Sequence, residues 1–176
     1  MSLDAGEFLT AWTVRLAVAC YLTRVAVDLH SAGRPGARSQ AFIRWCWTAG
    51  CALYLVHVAC AFGFYHDWSH AAAYRHTAAQ TAALTGIDSG AGLYVNYAFT
   101  LFWLGDVVLS WRAAAADRPA PAYRSRTYFW LLHAVFAFLV FNATVVFGPP
   151  AWRWAAFPIA TALLAAFLTR NRAAAG

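Results

Sequence analysis

Long apolar segments separated by short polar connections dominate the chain. A helix of about 20 predominantly apolar residues crosses a bilayer core, and five segments come near that length: residues 8–29, 43–64, 92–111, 127–147 and 152–169. The connections between them hold arginine, proline and glycine, which are typical of loops. The pattern predicts an all-α fold: a polytopic integral membrane helix bundle of about five transmembrane helices, forming a single membrane domain over residues 1–176.

One connection, residues 65–91, is long enough to hold structure of its own. Its alanine-rich stretch is followed by Gly86, which fits the residue that ends a helix in the left-handed conformation. Asp67 or Ser69 fits the residue that caps the start of such a helix. We therefore expect a short interfacial helix over about 69–85, lying on the outer surface or packed back against the bundle.

The basic residues give the predicted bundle an orientation, because short loops rich in arginine stay in the cytoplasm. Nine of the 13 basic residues lie on one predicted side: Arg34, Arg38, Arg44, Arg112, Arg118, Arg124, Arg126, Arg170 and Arg172. Tryptophans are expected to form belts at the two membrane boundaries, with Trp45, Trp47, Trp111 and Trp130 inside and Trp12, Trp68, Trp152 and Trp154 outside. Five spans then place the N-terminus outside and the C-terminus in the cytoplasm, in a plasma (bacterial inner) membrane.

Composition supports the membrane interpretation and removes several chemistries. The chain is 62% apolar and 11% charged, whereas a soluble chain carries about 25% charged residues. Every basic residue is arginine, and without a lysine amine no Schiff base to retinal or pyridoxal phosphate can form. The arginines lie beside apolar spans instead of on one polar face, which argues against nucleic acid as a partner. The expected partners are the lipid bilayer, other membrane subunits or further copies of the chain.

Ionisable side chains inside the apolar spans are costly there and usually face the bundle interior. At a rise of about 1.5 Å per residue, Arg24, Asp106 and His133 lie at a similar depth below the cytoplasmic boundary. Asp28 shares a helix face with Arg24 at i, i+4. This inner polar layer is either a proton or ion relay or a cluster that fixes helix register without chemistry. An outer polar layer can form from Arg15, His57, Asn96 and Asn142, unless Arg15 extends toward the outer headgroups.

The densest chemical signal lies over residues 66–76. If one helix runs through it, His66 and His70 share a face at i, i+4, a spacing that can chelate copper or zinc. Asp67 is then a further ligand, a residue that orients a histidine, or only a helix cap. His57 and His76 lie out of phase with that face. The alternative is an interfacial cluster of histidine and tryptophan that packs on headgroups or on a partner subunit.

Haem b is a separate possibility, since helical bundles often hold it between histidines of different helices. His57 and His133 differ in predicted depth by about 10 Å at the usual helical rise. They are therefore poor axial partners for one haem, which makes copper or zinc the better expectation for a cofactor.

Sequence motifs leave the function open. We find no phosphate-binding loop, dinucleotide-binding glycine pattern, serine nucleophile elbow or His-Glu-x-x-His zinc pattern. The first hypothesis is a non-catalytic subunit or interaction partner of a membrane complex. The second is a metal-binding membrane protein or redox enzyme that uses the outer histidines, and the third is a proton- or ion-coupled permease. Whether the chain is an enzyme is not decided by its sequence.

Overall fold

The chain folds into packed helices. The structure is a computed structural model that describes residues 5–31 and 34–146, together with residues 154 and 161. Helices and short connections, without a β-strand, make up these described residues. The elements are α1 (Ala5–His30), α2 (Ala37–Tyr65), α3 (His70–Thr85), α4 (Gly92–Ala115), α5 (Pro121–Arg124) and α6 (Arg126–Phe141), followed by one π-helical turn (Asn142–Val146). The predicted span 152–169 and the turn before it lie outside the described residues.

Three helical segments are long and apolar enough to cross a membrane: Ala37–Tyr65, Gly92–Ala115 and Arg126–Val146. The predicted count of five is therefore not confirmed. Helix α1 has 26 residues, which is sufficient length for a span, but Arg15, Arg24 and Asp28 lower its hydropathy.

Helices α1, α2, α4 and α6 alternate in direction. Thr10 near the start of α1 meets His57 near the end of α2, and Tyr21 of α1 contacts His133 of α6. One end of the bundle, called here the arginine-rich end, therefore holds the end of α1, the start of α2, α5 and the start of α6. The opposite, histidine end holds the end of α2, the whole of α3 and the start of α4.

The short helix α3 has the predicted caps. The Ser69 hydroxyl accepts a hydrogen bond from the Ala72 N–H at 3.2 Å. At the other end, Gly86 has a φ of 76° and donates its N–H to the Ala82 carbonyl oxygen. That left-handed conformation is strained for residues with a Cβ atom, which is why glycine commonly ends helices this way.

Helix α3 packs antiparallel against the first turns of α4. The Nδ1 atom of His70 lies 3.0 Å from the Tyr97 hydroxyl, and the rings of Tyr74 and Tyr94 are 6.1 Å apart. Gly90 permits this approach, because a Cβ atom there would lie 2.6 Å from the Tyr74 carbonyl oxygen. The described contacts thus place α3 against the bundle.

An aromatic core, formed by Tyr21, Trp47, Trp103 and Phe136, joins all four long helices. The Phe136 ring centroid lies 4.6 Å from Trp47, 4.7 Å from Trp103 and 5.1 Å from Tyr21. Such pairs contribute about 0.5–1.5 kcal/mol each beyond their burial. The prediction that Trp47 belongs to an interfacial belt is wrong: its side chain is only 1% exposed, because it packs toward the bundle centre and not toward headgroups.

Gly50 lets α1 and α2 approach closely beside the aromatic core. A Cβ atom at this position would lie 2.8 Å from the Cys20 Cβ atom and 3.1 Å from the Trp103 ring. We expect Gly50→Ala to lower the free energy of unfolding by about 1–3 kcal/mol, as overpacking does in dense cores. Thermal unfolding in one mild detergent measures this.

Gly105→Ala is the matched control, because nothing lies within 4 Å of the Cβ atom that it adds to α4. Its better helix propensity should stabilise the protein by up to about 1 kcal/mol. Equal melting temperatures for the two variants would contradict the close packing of α1 on α2.

Candidate functional site

Asp106 of α4 is a buried carboxylate bound by three other helices. It is 1% exposed, and its Oδ2 atom accepts a hydrogen bond from Trp47 Nε1 at 2.8 Å. The Tyr128 hydroxyl donates to Oδ1, also at 2.8 Å. The Nη1 atom of Arg24 lies 3.5 Å from Oδ2. Donors from α1, α2 and α6 thus meet on one side chain of α4.

Asp28 of α1 is the second buried carboxylate and has its own set of donors. The Tyr123 hydroxyl donates to Oδ1 at 2.8 Å, and His133 Nε2 lies 3.2 Å from Oδ2. The Nε atom of Arg24 is 3.6 Å from Oδ2, an ion pair slightly longer than a hydrogen bond. Burial raises the pKa of the Tyr123 phenol above its ordinary value, so that the hydroxyl keeps its proton and donates.

Arg24 connects the two carboxylates. Its guanidinium group lies over the Trp47 ring at 4.2 Å from the centroid, a distance typical of cation–π contacts. Arg24, Asp28, Asp106 and His133, the predicted inner polar layer, therefore form one cluster, called here the charge network. Buried charges are costly unless they are paired. Removal of any one of these four groups should therefore destabilise the fold, because its partners stay buried.

Sequence reasoning missed three donors of the charge network: Trp47, Tyr123 and Tyr128. Trp47 was assigned to an interfacial belt, and Tyr123 lies in a connection whose prolines indicated a loop. Pro121 instead begins α5, since proline is well suited to the first turn of a helix. The sequence did contain a signal for these donors. Buried carboxylates need hydrogen-bond donors, and tyrosine and tryptophan residues lie close to charged residues in the sequence.

A cavity of about 740 Å³, called here the arginine cavity, opens beside the charge network. Asp28 and His133 line it, together with Tyr21 of the aromatic core. Three arginines of the arginine-rich end also line it: Arg34, Arg124 and Arg126. One face of the charge network is therefore accessible from this cavity.

A smaller cavity of about 290 Å³, the histidine cavity, lies on the other side of the aromatic core. Its walls include Tyr21, His57 and Asn96. The Nδ1 atom of His57 is 2.9 Å from the Thr10 carbonyl oxygen. A carbonyl oxygen only accepts hydrogen bonds, so Nδ1 donates and Nε2 of the neutral ring keeps its lone pair.

The helix is not continuous through the histidine segment. Helix α2 ends at Tyr65, and Asp67 and Trp68 adopt left-handed φ angles of 48° and 58° before α3 begins at His70. The Trp68 N–H closes this turn by donating to the Phe62 carbonyl oxygen at 3.0 Å. The expectation that His66 and His70 share one helix face is therefore wrong.

The turn brings a different pair of histidines together. The rings of His66 and His76 are 5.2 Å apart, and both line the histidine cavity, whereas His70 contacts Tyr97. Burial, and then the proximity of His76, lower the pKa of His66. Within the part of the chain that the structure describes, no group of three or more His, Cys, Asp or Glu side chains is placed to hold a metal ion.

The predicted outer polar layer is divided. His57 and Asn96 line the same cavity. The Arg15 guanidinium lies over the Trp12 ring at 5.2 Å, a contact within one helix. Asn142 donates to the Phe138 carbonyl oxygen at 2.8 Å, again within its own helical segment.

The chain matches no family model, and no curated protein and no solved structure matches it.

We expect Asp106→Asn to lower the free energy of unfolding by about 2–3 kcal/mol, because its NH2 group replaces an acceptor oxygen and leaves either the Trp47 indole or the Tyr128 hydroxyl without an acceptor. Tyr128→Phe removes only one neutral donor and should cost about 1–2 kcal/mol. Thermal or denaturant unfolding in detergent measures both. Asp117→Asn is the control, since Asp117 is exposed and asparagine tolerates its left-handed φ of 49°. A loss as large in the control as in Asp106→Asn would rule out this role of the network.

Proposed function

We propose that the chain is a multi-pass protein of the plasma (bacterial inner) membrane and acts as a non-catalytic subunit or interaction partner of a membrane complex. It has five transmembrane helices, with the N-terminus outside and the C-terminus in the cytoplasm. Three candidate spans of the described residues support the membrane location, and the positions of the arginines support the orientation.

Helix α1 is compatible with a span despite its charged residues. Arg24 and Asp28 are each only 3% exposed, because both are turned into the charge network. Thr13 is also buried on the bundle side. Charges that are paired inside a bundle are tolerated within membranes, whereas charges that face lipid are not.

The carrying observation for a non-catalytic role is that the carboxylate oxygens of the charge network are all occupied. Each carboxylate oxygen of Asp28 and Asp106 has a hydrogen-bond partner from another helix. A network whose acceptors are occupied in this way fixes the positions of helices. It favours a rigid scaffold over an acid or base that is available for chemistry.

The histidine end supplies a surface for the partner. Trp68 is 70% exposed although it lies in the left-handed region, where non-glycine residues cost on the order of 1–3 kcal/mol. Strain that holds a large apolar side chain in solvent favours a specific contact at that side chain. The exposed large apolar residues of the histidine end, called here the outer apolar face, include Phe64 and Trp68 before α3, Leu84 and Ile87 near the end of α3, and Tyr94 of α4.

Absence of lysine from the chain allows one experiment to test both sidedness and partnership. Asp88→Lys introduces the only lysine beside the outer apolar face, and Asp117→Lys introduces it in the turn after α4. A membrane-impermeant, amine-reactive cross-linker is then added to intact cells. The parent chain and Asp117→Lys carry only the N-terminal α-amine on the outside, and any adduct at that amine is common to all three proteins. We expect Asp88→Lys alone to give an additional protein adduct of one discrete mass.

Dependence on the outer apolar face separates a specific partner from chance capture. Trp68→Ala combined with Ile87→Ala should remove the adduct of Asp88→Lys while the protein remains in the membrane. Reaction at the introduced lysine of Asp117→Lys from outside, beyond the N-terminal reaction of the parent chain, would overturn the orientation. An adduct that survives the double replacement, or that contains only lipid, would overturn the proposed contact.

The two cavities support a second candidate function, a proton- or ion-coupled permease. Tyr21 lines both cavities, so the aromatic core alone separates them at this point. Asp28 and His133 line the arginine cavity and are the groups that can exchange a proton with it. In proteoliposomes, a pH gradient should then dissipate through the parent protein and through Asp117→Asn, but not through Asp28→Asn. Dissipation no faster than in protein-free liposomes would exclude this function.

A further inference from the structure

The arginine cavity has walls of two opposite characters. Its apolar wall is built from α1 and α6 by Val25, Leu29, Phe129, Ala134 and Ala137. Its basic part consists of three arginines. Arg34 precedes α2, Arg124 is the last residue of α5, and Arg126 is the first residue of α6. The cavity therefore offers positive charge beside a continuous hydrocarbon surface.

The three arginines of this cavity lack carboxylate partners within the described residues. The ion pairs among the described residues are Arg24–Asp28, Arg24–Asp106 and His133–Asp28. Asp28 lines the cavity but is therefore already paired with Arg24 and His133. Arg34, Arg124 and Arg126 are exposed. Three positive charges thus face one space, and an anion in that space would be stabilised by all of them.

Arg126 adds a further reason to expect an anion. It is the first residue of α6, where the helix dipole is positive and a cation is unfavourable. An anionic group at this position would offset both the dipole and the arginine charge. The Ser125 hydroxyl already accepts the Tyr128 N–H, so the arginines remain the anion-binding side chains there.

We propose that the arginine cavity binds a phospholipid with an anionic headgroup. The phosphate lies against Arg34, Arg124 and Arg126, and an acyl chain lies along the apolar wall of α1 and α6. The apolar wall favours a lipid over a soluble anion, and basic pockets between helices at the cytoplasmic surface are known to hold such headgroups. The inference rests on the proposed membrane orientation but not on the proposed partner.

Lipid retention tests the site on the whole chain. The protein is extracted in mild detergent, exchanged into nanodiscs of phosphatidylcholine with a minor share of phosphatidylglycerol, and returned to detergent for native mass spectrometry. We expect the parent protein to retain phosphatidylglycerol in preference to phosphatidylcholine. Arg124→Gln with Arg126→Gln should lower the retained fraction about tenfold, from the attraction that each basic residue exerts on anionic lipid.

The matched control is Arg38→Gln with Arg118→Gln, which removes the same charge at the same end but outside the cavity lining. It should retain lipid like the parent protein. Unchanged melting temperatures of both double variants show that they are folded.

Equal lipid retention by the two double variants, or no preference for phosphatidylglycerol, would overturn the site. Displacement of the lipid by millimolar inorganic phosphate would instead identify a soluble-anion site and overturn the lipid proposal. A chain that leaves the membrane without detergent would refute the membrane placement itself. If Asp88→Lys gives no cross-linked protein partner while the parent protein still retains phosphatidylglycerol, only the scaffold role is refuted.

Discussion

The pairing of the Arg24 guanidinium with two buried carboxylates is the constraint on which the rest of the bundle depends. Arg24 and Asp28 come from α1 and Asp106 from α4, while the remaining donors come from α2, α5 and α6. A buried charge must be paired or it destabilises the fold. Each helix therefore has one depth and one rotation at which its polar group reaches the network, and apolar packing alone specifies neither so sharply.

The aromatic core continues this constraint toward the histidine end. Trp47 belongs to both, since its indole nitrogen donates to Asp106 while its ring packs on Phe136. Tilted, stacked and edge-to-face rings fill the centre of the bundle, and they leave one cavity on each side. Tyr21 contacts both cavities, so a change in its side chain is the simplest way to join them.

The two ends of the bundle differ in chemistry in a way that suits two surfaces of one membrane. Three arginines that have no carboxylate partner within the described residues line the arginine cavity at one end, where they suit anionic headgroups. At the other end, α3 packs on α4 and the Asp67–Trp68 turn presents apolar side chains outward. The proposed scaffold role rests on this arrangement of a packed centre between two dissimilar ends.

The sequence by itself determined the helical class, the approximate bounds of α1 to α4 and of α6, and the caps of α3, because these depend on runs of apolar residues and on Ser69 and Gly86, which act locally along the chain. Depth counting also selected Arg24, Asp106 and His133 as residues that share a level, and the i, i+4 spacing from Arg24 added Asp28. Only the tertiary structure decided that Trp47, Tyr123 and Tyr128 complete their hydrogen bonds, and that His66 meets His76 instead of sharing a face with His70. Those contacts depend on helix rotation and on one strained turn, which are set by packing between segments that are distant in the sequence.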